Sequence, residues 1–126
     1  MSKDLGERYS LLLGKQLTMT ERTWGILQDR GVSESTELRL DFSYVAPAQA
    51  NAESLKALLV DETDYDVEVL PKGSPSPEHW AVTGSTQPTR ISRNILEDWV
   101  DWMVTAGLQH DCEFDGWGTE IPNRVI

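Results

Sequence analysis

The sequence predicts an α+β protein of ferredoxin-like type: a β-α-β-β-α-β sandwich with a four-stranded antiparallel sheet, two helices on one face, and an N-terminal helical extension. Two observations carry that expectation. Four short segments alternate apolar and polar residues with period two, and two segments between them repeat apolar residues at helical spacing. A chain of 126 residues buries one hydrophobic core, and five Trp, three Tyr and two Phe distributed through these patterns argue for a packed chain. The expected division is an N-terminal extension over residues 1–19 and a single domain over 20–126.

The elements follow in order. Residues 1–17 carry Gly6 and Gly14 with a weak apolar pattern, which reads as a short helix or arm. Thr18 or Thr20 then caps a helix reaching Asp29, with Glu21 closing a capping box on Thr18 and Gly31 as the stop. In the segment from Thr36 to Pro47, Leu38, Leu40, Phe42 and Tyr44 alternate with Glu37, Arg39, Asp41 and Ser43, a half-buried first strand. A helix over Gln49 to Asp61 turns Ala52, Leu55, Leu58 and Leu59 inward. The second strand sets Tyr65, Val67 and Val69 against Asp64, Asp66 and Glu68; after a loop with Gly73, Pro75 and Pro77, the third sets Trp80 and Val82 against His79, Ala81 and Thr83. The longest helix is expected from Arg90 to Ala106, with Ile91, Ile95, Trp99, Trp102, Met103 and Ala106 as its apolar stripe and Gly107 as its C′ residue. The last strand places Cys112 and Phe114 on one side and Asp111, Glu113 and Asp115 on the other. In the ferredoxin-like order the second and fourth of these strands form the sheet edges.

Charge narrows the function classes. With 21 Asp and Glu against 11 Lys and Arg, the formal net charge is -10 at pH 7. Such a chain repels phosphate backbones and anionic lipid surfaces, so direct nucleic-acid and membrane binding are excluded as expectations. The longest apolar run falls far short of the ~20 residues that span a bilayer. The first residues, with only Leu11 to Leu13 continuously apolar, do not resemble a signal peptide. A lone Cys112 cannot form an internal disulfide, which suits a reducing compartment, and a cytoplasmic location is expected.

The strand alternation gathers Glu37, Asp41, Asp64, Asp66, Glu68, Asp111, Glu113 and Asp115 on the open sheet face and its edges, with Arg39 and His79 as the cationic or titratable exceptions. Two readings fit. The acids solubilise the face and guard its edges against sheet-to-sheet pairing. They also form a docking surface for a basic protein segment, since a concentrated field of one sign steers association. No catalytic residue, metal site or cofactor is expected: the clustered acids lack calcium-loop geometry, His79 and His110 have no companion ligand, Cys112 points inward, and phosphate-binding, dinucleotide and nucleophile-elbow motifs are absent. An exposed last strand would also permit a homodimer through its edge, with a monomer as the alternative.

Trp117 stands between Gly116 and Gly118 after Asp115. The glycines suggest a bend that lays the indole against the sheet; an aromatic anchor at a binding rim is the alternative. The run Glu113, Phe114, Asp115, Gly116, Trp117, Gly118 and Thr119 resembles the C-terminal signature of the ribonuclease E inhibitor family, the RraB type (regulator of ribonuclease E activity B). The resemblance extends, more weakly, over about residues 20–122. It implies a small acidic protein of the same fold that regulates RNA turnover by binding the basic C-terminal region of ribonuclease E, with the signature as a fold element. Known inhibitors carry a long acidic tail, whereas this sequence ends at Ile126, and the N-terminal extension has no obvious counterpart. Two other functions remain open: an immunity protein that neutralises a nuclease toxin, and a small carboxylate-dependent enzyme.

Overall fold

A computed structural model of the chain describes residues 3–73 and 78–120; the loop positions Pro75 and Pro77 and residues 121–126 lie outside the described residues. The fold is α+β, with three helices and two antiparallel sheets. The order is α1 (Lys3–Asp29), β1 (Glu37–Leu38), β2 (Leu40–Ala46), α2 (Gln49–Glu62), β3 (Asp66–Leu70), β4 (Trp80–Ser85), β5 (Thr89–Arg90), α3 (Arg93–Leu108) and β6 (Glu113–Thr119). The larger sheet runs β3-β4-β2-β6 and the smaller pairs β1 with β5.

The N-terminal segment departs most from expectation. It is one uninterrupted helix of 27 residues, and Thr18 caps nothing: its hydroxyl donates to the Gly14 carbonyl one turn back. Tertiary packing overrides the weak propensity of Gly6 and Gly14. Tyr9, Leu12, Leu13 and Leu17 pack on the main core and Trp24 and Leu27 on a second cluster, so one stripe of α1 is anchored along most of its length. Its end is as expected. The Gly31 and Val32 amides return to the Gln28 and Leu27 carbonyls, and buried Val32 joins Leu27 in the second cluster.

The first predicted strand is broken. Glu37 and Leu38 pair with Arg90 and Thr89, while Leu40 onward joins the larger sheet. Arg39, between them, donates to the Thr86 carbonyl. Within the larger sheet every neighbouring pair is antiparallel. Phe42, Tyr44, Ala46, Val82 and Phe114 face Ala52, Leu55 and Leu59 of α2 and Val100, Met103 and Val104 of α3 in the main core. Tyr44 is fully buried, and its hydroxyl donates to the Met103 carbonyl at 2.7 Å.

Helix α3 begins later than expected, capped by Ser92, whose hydroxyl accepts from the Ile95 amide. Its buried stripe is Leu96, Val100, Met103, Val104 and Gly107, leaving Ile95 51% and Trp102 40% exposed. Gly107 is therefore no stop. It lies beneath Tyr44, where a Cβ would stand 2.6 Å from the ring, and the helix continues to Leu108. The left-handed C′ position falls instead on Asp111 (φ 59), with the Cys112 and Asp111 amides bonded back to Gly107 and Leu108. Asp tolerates that conformation better than most non-glycine residues.

Candidate functional site

The sheet face opposite α2 and α3 can be read from the register, because residues directly opposite each other share a face. One row crosses the sheet as Asp66, Ser85, Asp41 and Gly118; the next as Glu68, Thr83, Ser43 and Gly116; the third as Leu70, Ala81, Val45 and Glu113. The outer face thus grades from acidic to apolar along the strands.

The eight candidate acids are only partly brought together. Asp41, Asp66, Glu68 and Glu113 lie in these rows, and Asp115 is the extra, exposed residue of a bulge in β6 opposite the Ser43/Tyr44 step. The other three do not share the face as strand residues. Glu37 belongs to the small sheet, Asp64 precedes β3, and Asp111 occupies the turn before β6. His79 likewise precedes β4. These differences share a cause: alternation was extended past the points where the backbone leaves the sheet.

Two arginines offset part of this charge. Arg39 contacts Asp66 at 2.7 Å, and Arg8 of α1 lies 3.5 Å from Asp111 and 3.6 Å from Glu113. All three pairs are solvent-exposed, so each contributes roughly 0–1 kcal/mol. Asp41 accepts a hydrogen bond from Ser85 at 2.6 Å. Among the described residues, Asp41, Glu68 and Asp115 have no cationic partner within ion-pair distance.

The bulge also decides where the last strand's side chains point. Straight alternation from Phe114 would turn Gly116 and Gly118 inward and Trp117 outward. With Asp115 extra, Trp117 instead stands opposite Phe42 on the inner face, while Gly116 and Gly118 fall opposite Ser43 and Asp41 outside. Gly116 has φ 134, a conformation that only glycine adopts without strain. The Trp117 indole packs edge-on to Trp99 at 6.1 Å between centroids, and its N–H donates to the Thr20 hydroxyl at 3.0 Å. Both tryptophans contact both core clusters.

Helix α1 lies beside β6. The Gln16 amide nitrogen donates to the Phe114 carbonyl at 3.2 Å. Between the helix and the outer face runs a cleft of about 350 Å³, lined by Gln16, Met19 and Thr23 from α1 and by residues 41–43 and 115–118 of the strands. Sequence reasoning missed this cleft. Its one visible trace was the glycine pair at positions 116 and 118, a two-residue spacing that leaves one face of a strand bare.

Cys112 is buried, and burial, aided by neighbouring Asp111, pushes its thiol up to about 11. Such a thiol stays protonated and inert at neutral pH. Among the described residues, no group of three or more His, Cys, Asp or Glu is placed to hold a metal ion, and no helix is long and apolar enough to cross a membrane.

Fold and surface together define a small acidic α+β protein whose conspicuous polar feature is a solvent-facing sheet surface flanked by a helix. The chain belongs to the RraB family, regulator of ribonuclease activity B, whose family model matches residues 18–119. The match takes in the whole signature on β6 and begins within α1, so Tyr9, Leu12 and Leu13 pack on the core from outside the matched region. A search of curated proteins finds no match to the chain.

Proposed function

We propose that this protein acts in the cytoplasm without catalysis, regulating a ribonuclease by binding a basic protein segment on its outer sheet face, with the basic C-terminal region of ribonuclease E as the target. One observation carries this reading: Asp41, Glu68 and Asp115 line the outer face of the larger sheet and its β6 edge without cationic partners among the described residues, in a protein of formal charge -10. Unpaired surface acids cost little to keep solvated and become favourable only when a cation arrives, which makes the face selective for basic partners. Family membership supplies the ribonuclease. The strand order β3-β4-β2-β6, with α2 and α3 on one side, supports a ferredoxin-like frame to which α1 has been added.

Combined reversal of Asp41, Glu68 and Asp115 to Lys tests this directly. Binding to the ribonuclease C-terminal region, measured across a salt series, is expected to weaken by at least tenfold, about 1.4 kcal/mol, and to lose its salt dependence. A folded variant that binds as tightly as the parent would remove the outer face from the interface.

A further inference from the structure

We propose that the cleft between α1 and β6 is a socket for an arginine side chain of a basic protein segment; this rests on the reading of the partner as basic and assigns it a specific seat. Three features of the cleft converge. Its charged lining residues, Asp41 and Asp115, are both acidic. Its remaining lining includes Met19 beside the bare strand backbone at Gly116 and Gly118, surface suited to an aliphatic stem.

The third feature is independent of the acids. Gln16 is only 2% exposed, and its amide nitrogen is committed to the Phe114 carbonyl. Its Oε1 accepts no hydrogen bond among the described residues and is not sealed away: it borders the cleft, 3.9 Å from where a Cβ on Gly116 would stand. An amide oxygen held in place by an otherwise buried side chain and open to a cleft is an acceptor that a bound donor can reach. A guanidinium brings five N–H donors in a planar fork together with a delocalised charge, enough to serve both carboxylates and the amide oxygen. A lysine ammonium is a compact, strongly hydrated point charge that desolvates less readily.

Gly118 supplies the means of testing. Its backbone is not in the left-handed region and a Cβ there would meet nothing, so Gly118→Leu fills the cleft without strain. Fluorescence anisotropy with a labelled alternating Gly-Arg octapeptide and its Gly-Lys counterpart, at about 150 mM salt to suppress the general field, is the assay. The Arg peptide is expected to bind about tenfold more tightly than the Lys peptide, and Gly118→Leu to abolish that preference at unchanged melting temperature. Should Gly118→Leu unfold, Asp41→Asn and Asp115→Asn combined are expected to reduce the preference likewise. Glu68→Lys, outside the cleft, should weaken both peptides equally and keep the preference. Equal binding of both peptides by the parent, or an undiminished Arg preference in folded Gly118→Leu, overturns the socket.

The same proteins separate the socket from the regulatory reading. If the parent shows the cleft-dependent Arg preference yet leaves the ribonuclease unbound, the socket stands and the ribonuclease reading falls. If parent and Gly118→Leu capture the ribonuclease equally, the socket falls and the reading stands.

Discussion

On one side of the larger sheet, Phe42, Tyr44, Val82 and Phe114 are sealed beneath α2 and α3; on the other, the same strands carry Asp41, Ser43, Thr83 and Glu113 toward solvent. The inner side is fixed by shape. Aromatic rings meet edge-on, Tyr44 with Phe42 and Phe114, and Gly107 lets helix and ring come into contact. The outer side is fixed by almost nothing internal, since its ion pairs are exposed and several of its acids have no ion-pair partner among the described residues. A surface that contributes little to folding is free to be shaped by what it binds, so substitutions on the two sides should separate cleanly into stability effects and binding effects.

The most severe test of that separation is Phe114→Ala. Phe114 is 1% exposed and touches Tyr44 and Trp99, so truncation should destabilise the protein by about 3–5 kcal/mol in chemical denaturation. A loss under 1 kcal/mol would show that the inner side is not tightly packed.

A smaller effect is expected from alkali. The folded Cys112 thiol titrates near 11 rather than its ordinary 9.0, so the folded state holds its proton longer than the unfolded state. Stability linked to this group is complete below pH 9 and falls as pH rises toward 11. Tyr44 and Tyr65, both raised chiefly by burial, extend the loss above pH 10. Denaturation midpoints across this range should decline, and Cys112→Ala should flatten the first part of the decline; a flat parent profile would contradict the sealed inner side.

The smallest effect belongs to the outer side. Glu68→Lys should change folding stability by no more than about 0.5 kcal/mol, because the carboxylate is exposed and has no ion-pair partner among the described residues. A larger change by the same denaturation assay would mean that the acids are structural.

Much of this was legible in the sequence where local pattern and burial coincide. Leu40, Phe42 and Tyr44 alternate because one side of β2 is buried, and Ala52, Leu55 and Leu59 share a helical stripe for the same reason. Legibility failed where a neighbour in space overruled the local signal. Glycines at 6 and 14 suggested a short helix or arm, but packing on α3 and β6 keeps α1 continuous to Asp29. Gly107 resembled a helix stop, but its missing side chain accommodates Tyr44. Ile95 and Trp102 completed an apolar stripe on paper, yet both are exposed, and Leu96, Val100 and Val104 join the expected Met103 and Ala106 in the buried stripe.

For the candidate site the division is sharper. Sequence by itself determined the excess of acid, the strands that carry it and the signature that marks the family, because charge and period two are local properties of the chain. Only the tertiary structure decided which acids share a surface and which are neutralised, since Arg8 reaches Asp111 and Glu113 across about a hundred residues. The bulge at Asp115 was equally invisible: one extra residue exchanges the sides of Trp117 and its flanking glycines, and that exchange depends on register against β2. The cleft exists because α1 runs beside the bare face those glycines leave, a juxtaposition of residues distant in the chain that no local pattern encodes.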